Sequence, residues 1–196
     1  MLNEKLRNKK LILGSASPRR QFFMRELGLD FEVRPRDLEE SYPGDLIREQ
    51  ISDYLAILKA KAFQGELQEN ELLITADTIV WLDGMALGKP SNEAEAIAML
   101  QRLSGRSHQV ISSVALTSVN RQWLIHDTTE VLFKELRQEE IMYYIRHYAP
   151  YDKAGAYGIQ EWIGYIGIES IEGSYFNVMG FPVQKFYQLL LEVLAE

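Results

Sequence analysis

The sequence predicts a β-sheet with helices packed on its faces, an α/β or α+β fold, and three observations carry that reading. Leu72-Leu73-Ile74-Thr75-Ala76-Asp77-Thr78-Ile79-Val80-Trp81-Leu82 is an almost continuously apolar, β-branched run, as expected of a strand buried on both faces. Ile47, Ile51, Tyr54, Leu55, Leu58 and Ala62 recur at helical spacing. Strand-like and helix-like segments intermix along the whole chain, with no repeat, low-complexity segment or linker to divide it. The length of 196 residues, 46% apolar and 25% charged, suits one ordinary globular domain, or two small lobes sharing a core.

The chain begins with a polar extension over residues 1–10. Leu11-Ile12-Leu13 then reads as a short buried strand that Gly14 breaks. Ser17 falls at a helix N-cap with Pro18 at the first helical position; Phe23 and Leu27 follow at i and i+4, and Gly28 closes the helix. Arg19 and Arg20 thereby sit at the positive end of the helix dipole, where cations are mildly unfavourable. A resident anion removes that conflict. Backbone N–H groups, the Ser15 and Ser17 hydroxyls and two guanidinium forks together make a phosphate cradle. The alternative is an ordinary strand-to-helix turn with two solvated arginines.

Phe31-Glu32-Val33 reads as a second strand, followed by an acidic group at Asp37, Glu39 and Glu40. In the helix over 47–62, Lys59 lies beside the apolar stripe. Its ammonium either reaches a cleft or snorkels to solvent. Asp77 interrupts the long buried run, and an ionised carboxylate there is costly unless paired, hydrogen-bonded or metal-bound. Asp83-Gly84 marks a hairpin returning through Met85-Ala86-Leu87, which delivers Lys89. A helix capped near Ser91 or Asn92 ends at Ser104-Gly105. Two long strands, His108–Thr117 and Gln122–Phe133, flank the Asn120-Arg121 turn. Ile141, Tyr144, Ile145 and Tyr148 predict another helix. In the stretch from Tyr151 to Gln160, small residues at 154–156 and Gly158 allow close backbone approach, with Lys153 and Gln160 as its polar members. The alternation from Ile163 to Ile171 predicts a strand. The last helix carries a stripe of Val183, Phe186, Tyr187, Leu190 and Leu194.

A net charge of −7 argues against a protein that coats nucleic acid, and the absence of cysteine excludes thiol nucleophiles, thiolate metal sites and disulfides. Asn3–Lys10 does not resemble a signal peptide, and no apolar run approaches the roughly 18 residues of a membrane span. The expectation is a cytoplasmic protein without membrane or nucleic-acid partners. His108, His126 and His147 share no metal-binding spacing and receive no role.

Several of these stretches, in this order, resemble the Maf family of nucleoside triphosphate pyrophosphatases. They are Ser15-Ala16-Ser17-Pro18-Arg19-Arg20, Ala56-Ile57-Leu58-Lys59-Ala60, Ala76-Asp77-Thr78-Ile79-Val80 with Gly88-Lys89-Pro90, and Leu103-Ser104-Gly105 with His108. Asp152–Gln160, Gly173-Ser174-Tyr175 and Asn177–Pro182 complete the series, so the likeness runs from Leu11 to the last helix. It implies one α/β domain over the whole chain, built on a long mixed sheet, with two lobes around a cleft as in inosine triphosphate pyrophosphatases. It also implies hydrolysis between the α- and β-phosphates with a divalent cation, Mg²⁺ first and Mn²⁺ or Co²⁺ as alternatives.

By that resemblance Asp77 is the catalytic aspartate, acting as general base or as a metal ligand, and Glu40 helps to hold the metal. Ser15, Ser17, Arg19, Arg20, Lys59, Lys89 and Lys153 contact the nucleotide. Arg19, Thr78 and Gln160 are the specificity positions. The stretch from Lys153 to Gln160 resembles the branch acting on dTTP and UTP, where a role in excluding modified nucleotides and in septum arrest is implied. A Gln amide suits such a base, donating to O4 and accepting from N3–H. Glu161-Trp162 departs from the glycine usual after that glutamine. The resemblance also permits a homodimer. Two other readings stay open: a regulatory nucleotide-binding protein without turnover, and a purine-type house-cleaning pyrophosphatase.

Overall fold

The structure is a computed structural model and describes residues 2–195. The chain runs α1 (Leu2–Lys5), β1 (Lys10–Leu13), α2 (Pro18–Glu26), β2 (Phe31–Val33), α3 (Glu49–Lys61), β3 (Glu71–Leu82), β4 (Met85–Leu87), α4 (Glu93–Leu103), β5 (Ser107–Thr117) and β6 (Gln122–Phe133). It continues through α5 (Gln138–Tyr148), a single 3-10 turn (Ala154–Ala156), α6 (Trp162–Gly167), β7 (Ile168–Glu172), α7 (Tyr175–Val178) and α8 (Val183–Val193). Seven strands make one mixed sheet in the order β2-β1-β3-β5-β6-β7, with β4 paired to β3. This is the predicted α/β architecture. The chain divides into two compact units: one holds the segment up to Asp77, Ser112–Asp127 and the chain from Gly180 on; the other holds Thr78–Ile111 and Thr128–Met179.

In the first unit β1 pairs in parallel with β2 and β3, Leu11 opposite Phe31 and Leu72. Gly14 ends β1 because a Cβ there would lie 2.9 Å from the Thr75 side chain, so only glycine lets the loop leave against β3. The core here gathers Ile12, Ala60, Phe63 and Leu73, and Phe181 packs between Phe23 and Phe186. The N-terminal stretch, expected to be a polar extension, folds as α1 with Leu2 and Leu6 buried. On α3 the buried residues are Ile51, Ser52, Leu55, Ala56 and Ala60, whereas Ile47 and Tyr54 are exposed. The helix begins two residues later than its periodicity predicts, because Arg48 just before it has a positive φ (51°, ψ −127°) that no helix can contain. Ser52 is tolerated inside because its hydroxyl bonds that of Ser113 at 2.7 Å.

In the second unit the Asp83-Gly84 turn is present, both residues at positive φ, and joins β3 to β4 with Leu82 opposite Met85. Asn92 caps α4 by accepting the Glu95 N–H at 3.0 Å. Val80, Leu100, Val131, Phe133, Tyr144 and Ile163 belong to one large core. The strand predicted over 163–171 is instead α6 followed by β7. Helical spacing buries Ile163 and Gly167 together, and a Cβ on Gly167 would crowd Phe133 and Leu136 at 3.0–3.1 Å. Gly164 admits no side chain, since its Cβ would fall 1.9 Å from the Ile159 carbonyl. On α8 the buried residues are Phe186, Leu189 and Leu190, so Leu189 takes the inward place expected of Tyr187.

Candidate active site

In the first unit the decisive group is a chain of charges. Asp77, only 5% exposed, lies on β3, and Lys59 projects from α3 so that its Nζ sits 2.6 Å from Asp77 Oδ1. The same ammonium lies 2.9 Å from Glu40 Oε1, on the loop after β2. Lys59 thus reaches inward rather than snorkelling to solvent. Burial pushes the Asp77 carboxyl above its ordinary value, and the Lys59 charge opposes that shift. Asp77 is therefore held by a neighbouring charge, as a buried carboxylate must be.

The loop before α2 is organised by Arg20. Its guanidinium donates to the carbonyls of Ala76 (2.8 Å) and Gly180 (3.2 Å) and to Ser15 Oγ (3.3 Å). Burial lowers its pKa, against the attraction of Asp77 and with the repulsion of Arg19. Arg20 therefore ties the residue before Asp77 to the 14–17 loop and to the segment preceding α8. The carbonyls answer part of the electrostatic conflict that the sequence reading gave to an anion. Ser17 occupies the N-cap of α2, but its hydroxyl makes no cap bond; its N–H donates to Ser15 Oγ at 3.3 Å. Arg19 is half-buried in the first turn.

In the second unit Thr78 is half-buried on β3, and Lys89 is exposed beyond β4. The Gly88 carbonyl accepts from Gly155 N–H at 3.0 Å, which joins the segment carrying Lys89 to the small-residue loop. Gly155 has φ 68°, and a Cβ would lie 3.0 Å from Val80, so the loop's backbone packs directly on β3. Lys153 is buried, 7% exposed, with Nζ 2.6 Å from Asp152 Oδ1 and 3.1 Å from Glu161 Oε1. Gln160 Oε1 is buried with no hydrogen-bond partner among the described residues, an acceptor held open.

Two side chains to which the sequence assigns no role in the site shape this loop. Tyr144, expected only as part of the helical spacing over 141–148, donates its hydroxyl to Glu161 and accepts the Gly158 N–H at 3.0 Å. The usable signal was the hydroxyl, because a buried tyrosine must find a partner for it. His108 is buried with Nε2 2.7 Å from the Tyr157 hydroxyl, and burial lowers its pKa to about 4. Asn177, in another of the quoted motifs, is a structural tie: its amide donates to the Val110 carbonyl and to Thr129 Oγ1, both at 3.0 Å. Among the described residues no group of three or more His, Asp or Glu side chains is arranged to hold a metal unaided. No helix among them is long and apolar enough to cross a membrane.

The chain is similar to known proteins over nearly its whole length. The dTTP/UTP pyrophosphatase of Flavobacterium johnsoniae is 54% identical over 190 residues, 97% of this chain and 98% of that protein. Its namesake from Phocaeicola vulgatus is 55% identical over 185 residues, 94% and 96% of the two chains. That from Christiangramia forsetii is 48% identical over 194 residues, 99% of each. Among solved structures, a nucleoside-triphosphatase (dITP/XTP pyrophosphatase) from Mycobacterium abscessus aligns over 95% of this chain and 96% of that one. At 13% identity and a TM-score of 0.44, that likeness is too loose to add to the assignment. The family model described as Maf-like protein matches residues 10–193. The chain belongs to the Maf family.

Proposed function

We propose that this chain is a nucleoside triphosphate pyrophosphatase that hydrolyses dTTP and UTP to the nucleoside monophosphate and pyrophosphate. The observation that carries the proposal is the buried Asp77 carboxylate, held by Lys59 with Glu40 on the same ammonium. A protein that only bound triphosphate would gain nothing from a carboxylate among its cations. An enzyme needs one, because phosphoryl transfer rests on positioning, charge neutralisation and an oriented water. Relatives about half identical over nearly the full length, each named dTTP/UTP pyrophosphatase, support the choice of substrate.

In this reading water attacks phosphorus, its oxygen forms the new P–O bond, and the bond between the α- and β-phosphates breaks to release pyrophosphate. Asp77 accepts the water's proton. Lys59, Lys89, Lys153 and Arg19 neutralise the phosphates, with the Ser15 and Ser17 loop supplying hydrogen bonds. Arg20, bonded to the Ala76 and Gly180 carbonyls, holds that loop in place. Glu40 and Asp77 offer the hard oxygen ligands that Mg²⁺ accepts, one or two carboxylates complemented by substrate phosphates and water. A divalent cation there would share both carboxylates with Lys59 and neutralise developing phosphate charge. Gln160 reads the base, its open acceptor taking a donor such as pyrimidine N3–H.

Pyrophosphate release from a panel of ribo- and deoxyribonucleoside triphosphates in Mg²⁺ tests the proposal. The expected result is fastest release from dTTP and UTP. Binding without release from any nucleotide, or a preference for purines, would overturn it.

A further inference from the structure

We infer that Glu161 is a positioning residue that sets base selectivity by fixing the segment from Lys153 to Gln160; this rests on the reading of Gln160 as the base contact. One carboxylate ties Lys153 directly and Gly158 through Tyr144. Its Oε1 lies 3.1 Å from the Lys153 ammonium, and its Oε2 takes the hydrogen bond of the Tyr144 hydroxyl. Tyr144 in turn accepts the Gly158 N–H at 3.0 Å, so the middle of the segment hangs on the same network.

Gln160 is adjacent to the residue that closes this loop. A Cβ on Gly158 would lie 2.9 Å from Glu161 Cδ and 3.1 Å from Gln160 Nε2, so both side chains are packed onto the bare Gly158 backbone. The Gln160 carboxamide lies against Gly158, while its Oε1 is buried and without a hydrogen-bond partner among the described residues. An amide can present either oxygen or nitrogen to a base, and discrimination requires that its orientation be held. Glu161 supplies that constraint through packing and through the Tyr144–Gly158 bridge. Lys153 is held by two carboxylates, Asp152 at 2.6 Å and Glu161, so Glu161 also determines where this cation points. A helix cap alone would not account for this arrangement, because Glu161 precedes α6 without making a side-chain cap bond.

The test compares the parent enzyme with Glu161→Ala, Glu161→Gln and Tyr144→Phe, measuring kcat and KM for dTTP, UTP, dATP and dGTP. Glu161→Ala should lower the pyrimidine-to-purine ratio of kcat/KM about tenfold, mainly through KM for dTTP and UTP. Tyr144→Phe, which removes the hydroxyl bridge but keeps the Lys153 ion pair, should lower the ratio in the same direction. Glu161→Gln retains an oxygen that accepts from Tyr144 and should recover most of the selectivity. Amide hydrogen exchange of Gly158 in the ligand-free proteins gives a readout independent of turnover; it should speed up in Glu161→Ala and Tyr144→Phe. An unchanged ratio, or equal loss on all four nucleotides, overturns the selectivity role even if Gly158 exchanges faster. A parent enzyme without pyrimidine preference overturns the substrate reading itself, and the selectivity role with it.

Discussion

Lys59 and Asp77 form an ion pair of 2.6 Å that joins α3 to β3, and Glu40 shares the same ammonium at 2.9 Å. Asp77 is buried and desolvated, so its charge persists only while a cation faces it. The pair both positions the carboxylate and maintains its charge.

Asp77→Asn should reduce pyrophosphate release by at least ~10²-fold, because the amide keeps the shape but neither accepts a proton nor carries charge. Folding should change by no more than about 1 kcal/mol, because a buried charge is removed while Lys59 keeps Glu40 and an amide oxygen as partners. Steady-state rates beside urea denaturation check both halves. Activity within a few-fold of the parent would remove Asp77 from the mechanism.

The two adjacent arginines should behave differently. Arg19→Ala should weaken turnover without lowering ligand-free stability, since its charge lies at the unfavourable end of the α2 dipole. Arg20→Ala should cost about 2 kcal/mol of stability through lost charge-assisted bonds to the Ala76 and Gly180 carbonyls. Thermal melting of the two ligand-free variants separates the roles. Equal losses would mean that Arg19 is also structural.

His108 should make the protein acid-sensitive. Burial lowers its folded-state pKa from 6.5 to about 4, so between those values the unfolded chain binds a proton that the folded one refuses. Its neutral form is fully compatible with folding above pH 6.5, and stability is lost as pH falls from there toward 4, by about 3 kcal/mol at most. Denaturation at pH 7 and pH 4.5 should show a smaller difference in His108→Gln than in the parent. Identical differences would show that His108 contributes nothing to the acid response.

Gln160→Ala should depress dTTP and UTP turnover far more than any residual purine turnover, because it removes the open acceptor from the base's edge. The 5-methyl group that distinguishes thymine from uracil should change kcat/KM by no more than the ~1–3 kcal/mol an added group of that size is worth in a fitted pocket. Parallel kcat/KM values on the four nucleotides settle it. A uniform loss would point to general damage rather than base readout.

Much of this protein was legible in one dimension because local physics decides it. β3 follows from a continuous β-branched run, the β3–β4 hairpin from Asp83-Gly84, and the start of α2 from Pro18 after Ser17. Asp77 stood out because a lone carboxylate in a buried strand needs a partner, and Lys59 because it borders an apolar stripe. Which partner each finds is a matter of tertiary structure, since nothing local to residues 59 and 77 states that their side chains meet. The same is true of Arg20. Its place in the first turn of α2 is a sequence property, whereas its bonds to carbonyls at Ala76 and Gly180 depend on segments far apart in the chain.

The stretch after Gln160 departs from its expected strand for the same reason. Alternation from Ile163 to Ile171 favours a strand locally, but burial of Ile163 and Gly167 within the second unit and the close approach of Gly164 to the Ile159 carbonyl select a helical turn first. Residue type and spacing determined the elements and the chemical inventory of the site. Long-range packing decided which charges were paired, which arginine became a clamp and which glutamine oxygen was left without a partner, because those choices depend on burial and distance between residues that the chain brings together only when folded.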